Sequence, residues 1–138
     1  MVTRTPVSEI MTKNIIAISR SEDLNRAEVL FKKYNISHLP VISGESIVGM
    51  LSYADLLKIG YSSTTKDEHD IETVIYNLFT IEQVMTKDVV CIDSNTAIRD
   101  AAEIITKNNF HSLPVVDESI LVGIVTTTDL LNYFLKKF

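Results

Sequence analysis

Apolar residues along this chain fall into short runs and helix-like periods, in an order that occurs twice. In the first half, the apolar run 15–18 precedes a helical stripe over 22–34. Two further runs, 39–42 and 47–51, are too short for helices, and the polar link between them has hairpin length. A second helical segment follows Ser52. The pattern predicts the order strand, helix, strand, strand, helix.

The second half repeats this order in constant register. Met11 aligns with Met85 and Asp55 with Asp129, so the offset is 74 positions throughout (85 − 11 = 129 − 55 = 74). Fifteen positions are identical between 11–57 and 85–131. Unrelated segments would not keep register over such a span, which identifies an internal repeat. The elements predicted for the second half are strands 89–92, 112–116 and 121–125 and helices 96–108 and 127–135.

Several residues predict where elements begin, end or pair. The serines at 19 and 21 are candidate caps for the first long helix, and Asn35 is a candidate left-handed stop for it. Pro40 has no amide donor, so we expect it where no ladder hydrogen bond is needed.

One repeat of about 60 residues would bury only about 60% of its unfolded surface, so we expect the two to pack against each other. The predicted organisation is a first repeat over 1–60, a polar linker over 61–74 that runs into a helix, and a second repeat over 75–138.

Composition narrows the classes of function and the compartment. The net charge of −5 and the scattered basic residues argue against a nucleic-acid surface. No apolar stretch approaches the ~20 residues that span a bilayer, and the amino terminus lacks the apolar core of a secretion signal. A single cysteine, Cys91, fits a reducing compartment, and its apolar run favours a small buried side chain over a reactive thiol. We expect a cytoplasmic protein with no membrane association.

The two copies of Ser/Thr-x-x-Asp, at Ser52 to Asp55 and Thr126 to Asp129, carry the candidate chemistry. At a strand-to-helix junction this spacing is a capping box, worth about 1 kcal/mol, and needs no ligand. The same carboxylate can instead accept two hydrogen bonds from a ribose diol, and the helix amides beside it suit an anion. Both interpretations are compatible with the residues.

The repeated unit, with a proline in its second strand and Gly-h-h-Ser/Thr-x-x-Asp at the junction, resembles the cystathionine β-synthase (CBS) domain. Two units in tandem are similar to a Bateman module. The resemblance implies an α/β (α+β) fold of two β-α-β-β-α repeats packed through their sheets with pseudo-twofold symmetry. It also implies adenosine ligands in clefts between the repeats, a regulatory role in signal transduction, and a homodimer.

By the same resemblance, the aspartates hold the ribose, and each site combines residues of both repeats. The first site would contain Thr12, Ala17, Ser37, His38, Thr126 and Asp129. The second would contain Ser52, Asp55, Thr86, Cys91, His111 and Ser112.

The histidines either face ligand phosphates or bond to backbone and water. Metal ligation is disfavoured, because the only other histidine is His69 and there is no cysteine cluster. Arginine is scarce, with four in the chain and none in the signature, which weakens the case for a triphosphate. Lys13 and Lys87 could partly substitute as point charges.

Catalytic motifs are missing from the sequence. There is no Gly-rich phosphate loop, no Gly-x-Ser-x-Gly elbow and no metal-ligand spacing, so we expect neither an enzyme nor a catalytic cofactor. The favoured hypothesis is a sensor that binds an adenine nucleotide (AMP, ADP or ATP) and signals to a separate, unidentified protein. The alternatives are a cyclic di-AMP receptor and a ligand-free protein-interaction module.

Overall fold

The computed structural model describes residues 4–61, 76 and 78–137 of the chain. Its elements confirm the α/β class and the β-α-β-β-α order of each repeat. In the first repeat they are β1 (Ile18–Ser19), α1 (Leu24–Tyr34), β2 (His38–Ser43), β3 (Ser46–Ser52) and α2 (Tyr53–Tyr61). In the second they are α3 (Ile81–Val84), β4 (Ile92–Asp93), α4 (Ile98–Asn108), β5 (Ser112–Asp117), β6 (Ile120–Thr126) and α5 (Thr127–Lys137). A 3-10 turn at Val7–Glu9 precedes β1. Residues 62–74 of the predicted linker, and most of the helix expected after it, lie outside the described residues.

The chain divides into two compact units. The first unit is Ile16–Val89, and the second unit combines Met1–Ile15 with Val90–Phe138. The strands of the first repeat therefore share a unit with the segment that leads into the second repeat. The strands of the second repeat share a unit with the amino-terminal segment. Each repeat is preceded by a leading segment, residues 4–15 before the first repeat and residues 78–89 before the second. The two leading segments are exchanged, because each belongs to the unit that holds the strands of the other repeat.

The sheet of the first unit has three strands. β1 runs parallel to β2, with Ile18 opposite Val41, and β2 runs antiparallel to β3. Helix α1 covers this sheet and buries Leu24, Ala27, Leu30 and Phe31, which are spaced at helical period. The Phe31 ring stacks on Tyr53, the first residue of α2, with centroids 5.0 Å apart.

The ends of α1 test two of the sequence-based predictions. Asn35 closes the helix in the left-handed conformation, with φ of 52°, which confirms the predicted stop. The predicted cap at residues 19–21 is wrong. Asp23 is the cap residue, and its Oδ1 accepts a hydrogen bond of 2.8 Å from the Arg26 N–H. The hydroxyls of Ser19 and Ser21 bond to each other instead, at 2.9 Å.

The second unit has the same arrangement. β4 runs parallel to β5, with Ile92 opposite Val115, and β5 runs antiparallel to β6. Helix α4 ends at Asn109, again left-handed with φ of 55°. The helix begins two residues later than predicted, at Ile98, because Thr96 is held in a turn by Asp93 and Ala97 is the cap residue.

Each leading segment forms a reciprocal pair of backbone hydrogen bonds with the last strand of its unit. The Thr12 N–H donates to Ile124 O at 2.7 Å and Ile124 N–H donates back at 3.0 Å. Thr86 and Met50 form the same pair at 2.8 and 2.9 Å. Met50 lies opposite Pro40, and its N–H and C=O point to Thr86. Pro40 therefore faces no ladder donor or acceptor, as predicted from its missing N–H.

Glycine next to these contacts lets the methionine of each leading segment lie against the strand. A Cβ at Gly123 would meet Met11, with Cγ at 2.9 Å and Cε at 3.2 Å. A Cβ at Gly49 would meet Met85, with Cγ at 2.9 Å, and also the backbone Thr86 O at 3.0 Å. Both positions therefore need a residue without a side chain. The contact at Gly49 is harder to relieve, because one of its atoms is the backbone oxygen of Thr86.

We expect Gly49→Ala to destabilise the protein more than Gly123→Ala, although the substitutions are equivalent in sequence. Met11 can move its flexible side chain, so Gly123→Ala should cost about 1 kcal/mol. The Thr86 carbonyl is fixed by its bonds to Met50, so Gly49→Ala should cost about 2 kcal/mol. Urea unfolding of the two variants measures the difference, and equal costs would contradict the contact at Thr86.

Candidate functional site

The signature of the second repeat forms a complete capping box. The Asp129 N–H donates to Thr126 Oγ1 at 3.0 Å, and the Thr126 N–H donates to Asp129 Oδ2 at 3.0 Å. The leading segment adds a third contact, in which the Thr12 hydroxyl donates to the same Oδ2 at 3.4 Å. Strand β6, helix α5 and the leading segment thus meet at one carboxylate. Its Oδ2 is engaged, which leaves Oδ1 as the oxygen for a further donor.

The signature of the first repeat forms half of that box. The Asp55 N–H donates to Ser52 Oγ at 3.0 Å, which confirms the predicted cap hydroxyl. Within the described residues, Asp55 accepts no returning bond from the Ser52 N–H. Its Oδ1 lies 3.7 Å from Lys58 Nζ, one helical turn further along α2. The two signature carboxylates therefore have unlike surroundings.

The predicted residues at the strand entrances lie beside the helix starts of their own units. The Tyr53 N–H donates to Ser37 O at 2.9 Å, and the Thr127 N–H donates to His111 O at 3.0 Å. The Ser37 hydroxyl lies 3.3 Å from His38 Nδ1. His38 opposes Ser52 across the β2–β3 pair, as Ser112 opposes Thr126.

Ala17 and Cys91 occupy equivalent positions just before β1 and β4, and both are partly buried. Burial raises the pKa of the Cys91 thiol above its usual range. A raised pKa lowers the thiolate fraction at neutral pH, so the thiol is a weaker nucleophile there. This agrees with the interpretation of Cys91 as a small apolar side chain.

The predicted site residues are divided between the two units. The second unit holds Thr12, Cys91, His111, Ser112, Thr126 and Asp129. The first unit holds Ala17, Ser37, His38, Ser52, Asp55 and Thr86. The contact between Thr12 and Asp129 joins two members of the first predicted site, and the crossed grouping of the remainder stays a prediction.

Lys58 is a candidate functional residue that the sequence analysis missed. Its signal is visible only when the two repeats are compared beyond the shared Asp-Leu-Leu, where Lys58 aligns with Asn132 (132 − 58 = 74).

Two of the arginines form ion pairs. Arg20 pairs with Glu82 at 3.9 Å, and Arg99 pairs with Glu103 at 3.7 Å.

Neither a metal-binding cluster nor a membrane-spanning helix is found among the described residues. Among residues 4–61, 76 and 78–137, no group of three or more His, Cys, Asp or Glu side chains could hold a metal ion. In the same part of the chain, every helix is too short or too polar to cross a bilayer.

The family model of the CBS domain matches the chain twice, at residues 7–61 and 81–136. The chain therefore belongs to the CBS domain family. Its two matches make it a tandem CBS pair, as the internal repeat predicted.

Solved structures of CBS pairs resemble the chain over nearly its whole length. CBSX2 in complex with AMP is 25% identical to this chain, with a TM-score of 0.80. The alignment covers 96% of this chain and 97% of that one. The CBS pair of protein MJ0100, in complex with 5′-methylthioadenosine and S-adenosyl-L-methionine, is 28% identical, with a TM-score of 0.78 and coverage of 99% and 100%.

Among curated relatives, inosine-5′-monophosphate dehydrogenase of Methanocaldococcus jannaschii is 32% identical over 90% of this chain. The chain spans 22% of that enzyme. It spans 33% of another relative from the same organism, the uncharacterized protein MJ1404.

Proposed function

We propose that this chain is a regulatory module that binds an adenosine nucleotide, with AMP as the preferred ligand. Asp55 and Asp129 would accept hydrogen bonds from the ribose diol, and the helix starts beside them would face the phosphate. The observation that carries the proposal is the placement of one such carboxylate at a strand-to-helix junction in each unit, in a chain that aligns end to end with a CBS pair in complex with AMP.

The geometry of Asp129 supports a role beyond capping. A capping box needs only the two reciprocal bonds between Thr126 and Asp129. Thr12 comes from a distant part of the sequence, and its hydroxyl is directed at the same carboxylate oxygen. That hydroxyl helps hold Oδ2, which keeps the carboxylate fixed while Oδ1 is free to accept a ligand hydroxyl.

The charges near the signature favour one phosphate over three. Triphosphates are commonly held by several guanidinium groups, which grip phosphate oxygens in pairs. Arg20 and Arg99 are paired with the helical glutamates Glu82 and Glu103. Lys13, Lys58 and Lys87 supply single point charges, which suit a monophosphate.

We further propose that ligand occupancy is passed to a separate protein and that the module acts as a homodimer. Both proposals need a surface that another protein can contact. Helix α5 offers one, because its last turns expose large apolar side chains. Leu131 is 63% exposed, Phe134 58% and Leu135 71%. Exposed apolar side chains clustered on one helix are typical of an interaction surface.

A thermal-shift panel of AMP, ADP, ATP, cyclic di-AMP and S-adenosylmethionine tests the proposed ligand class. A ligand at 100 times its dissociation constant stabilises the folded state by about 2.7 kcal/mol. For a chain of this size, that corresponds to a rise in Tm of about 10 °C. We expect AMP to reach this rise at the lowest concentration, with ATP weaker.

Guanosine monophosphate is the matched control, since it keeps the ribose and phosphate and changes only the base. A larger shift with cyclic di-AMP than with AMP would favour the cyclic dinucleotide receptor. No shift with any ligand at millimolar concentration would overturn the proposal and favour a ligand-free interaction module.

A further inference from the structure

The two signature carboxylates differ in their compensating charge. Asp55 Oδ1 lies 3.7 Å from Lys58 Nζ, while residue 132, the equivalent position in the second repeat, is the neutral Asn132. Within the described residues, Asp129 forms no ion pair, and its partners are the Thr126 N–H and the Thr12 hydroxyl. Asp55 therefore has a cation beside its carboxylate, whereas Asp129 has none among the described residues.

Other lysines near the two signatures do not cancel this difference. Lys13 follows Thr12, and Lys87 follows Thr86, at equivalent positions in the two leading segments. Each signature thus has one such lysine in its own unit, and the asymmetry comes from residue 58 against residue 132. The side chain of Lys58 is 78% exposed, so its ammonium group can turn from Asp55 toward a ligand without unpacking the core.

We infer that Lys58 makes the two ribose contacts selective for differently charged ligands. The contact at Asp55 takes a nucleoside that carries a phosphate, because Lys58 offsets the carboxylate and offers a cation to the anion. The contact at Asp129 favours AMP less and accepts neutral or cationic nucleosides more readily, because no cation offsets its carboxylate. The inference rests on the proposed function and adds the ligand class at each contact.

Single-contact variants separate the two preferences. Asp129→Asn leaves the Asp55 contact, and Asp55→Asn leaves the Asp129 contact. Titration calorimetry with AMP and adenosine gives the ratio of their affinities in each background. We expect AMP to be favoured about threefold to fivefold more strongly in the Asp129→Asn background, since an exposed ion pair contributes little more than that.

Exchanging the two residues should move that ratio in opposite directions. Lys58→Asn in the Asp129→Asn background lowers the preference for AMP about threefold, and Asn132→Lys in the Asp55→Asn background raises it by a similar factor. Lys58→Arg keeps the charge and should keep the preference. Lys32→Asn removes an equal charge from α1 of the same unit, where Lys32 pairs with Glu28, and should leave the ratio unchanged.

The preference at Asp55 should also weaken as salt is raised from 0.05 to about 0.5 M, because exposed charges are then screened. If both ligands bind and Lys58→Asn does not move the ratio, the inference is wrong and the proposed function stands. If the unaltered chain binds neither ligand, the proposed function fails and the inference fails with it.

Discussion

Changing Asp55 and Asp129 together to asparagine should lower the affinity of the chain for AMP by about 100-fold. A hydrogen bond to a charged acceptor contributes about 1.5–3 kcal/mol, and each ribose diol offers two donors to its carboxylate. Asparagine keeps the size of the side chain, yet it replaces one acceptor oxygen by a donor that opposes the ribose hydroxyls. Each single variant should lose binding at one of the two contacts, and the double variant should lose it at both.

Stability should change much less than binding in these variants. The Asp129→Asn change weakens a capping box and should cost about 1 kcal/mol, while Asp55→Asn removes an exposed ion pair and should cost less. Calorimetric titration with AMP, together with urea unfolding of the same samples, separates the two quantities. Asp100→Asn is the control, since Asp100 is also an acid in the first turn of a helix but lies outside the signature. If binding survived in the double variant while stability fell sharply, the carboxylates would be helix caps and nothing more.

Truncation of Ile81 to alanine should destabilise the protein by about 3 kcal/mol. Ile81 is 0% exposed and belongs to the same core cluster as Leu24, Phe31 and Leu51. It is carried by α3, a four-residue helix held by the capping box of Thr80 and Gln83, and it is the fully buried side chain of that helix. Loss of a buried isoleucine costs about 2–5 kcal/mol through lost transfer energy and a residual cavity.

Leu78→Ala is the matched control for that measurement. Leu78 lies three residues earlier and is 71% exposed, so its truncation should change the free energy of unfolding by less than about 0.5 kcal/mol. Urea unfolding of both variants gives the comparison. Equal effects would mean that the segment around Ile81 is not docked in the core of the first unit.

Local signals in the sequence determined most of the elements. Asn35 was recognisable as a helix stop because an asparagine tolerates the left-handed backbone, and Pro40 was recognisable as a strand residue that needs no donor.

The lengths of the short parallel strands were overestimated. The apolar runs at 15–18 and 89–92 suggested four-residue strands, yet only Ile18–Ser19 and Ile92–Asp93 pair with β2 and β5. Apolar residues just before a strand can be buried without forming a ladder, and hydropathy does not distinguish the two.

The candidate site could be predicted only in part. The Ser/Thr-x-x-Asp spacing predicts the cap hydroxyls, because residues three apart meet at a helix start. The contact of Thr12 with Asp129 depends on tertiary structure, and no local pattern encodes it. The pairing of Asp55 with Lys58 is local, at one helical turn, but residue 58 differs between the repeats, so the repeat pattern does not point to it.

The exchange of leading segments sets the order in which a newly made chain can fold. All parts of the first unit lie within Ile16–Val89, so that unit can close once this stretch has been synthesised. Val7 packs with Leu113 and Val125 in the core of the second unit, and Val125 is made 118 residues later (125 − 7 = 118). At ~5–20 residues per second, this delay lasts roughly 6–24 s. Through that interval Val7, Ile10 and Met11 have no core of their own unit to enter, so their apolar side chains stay unburied until the second repeat has been made.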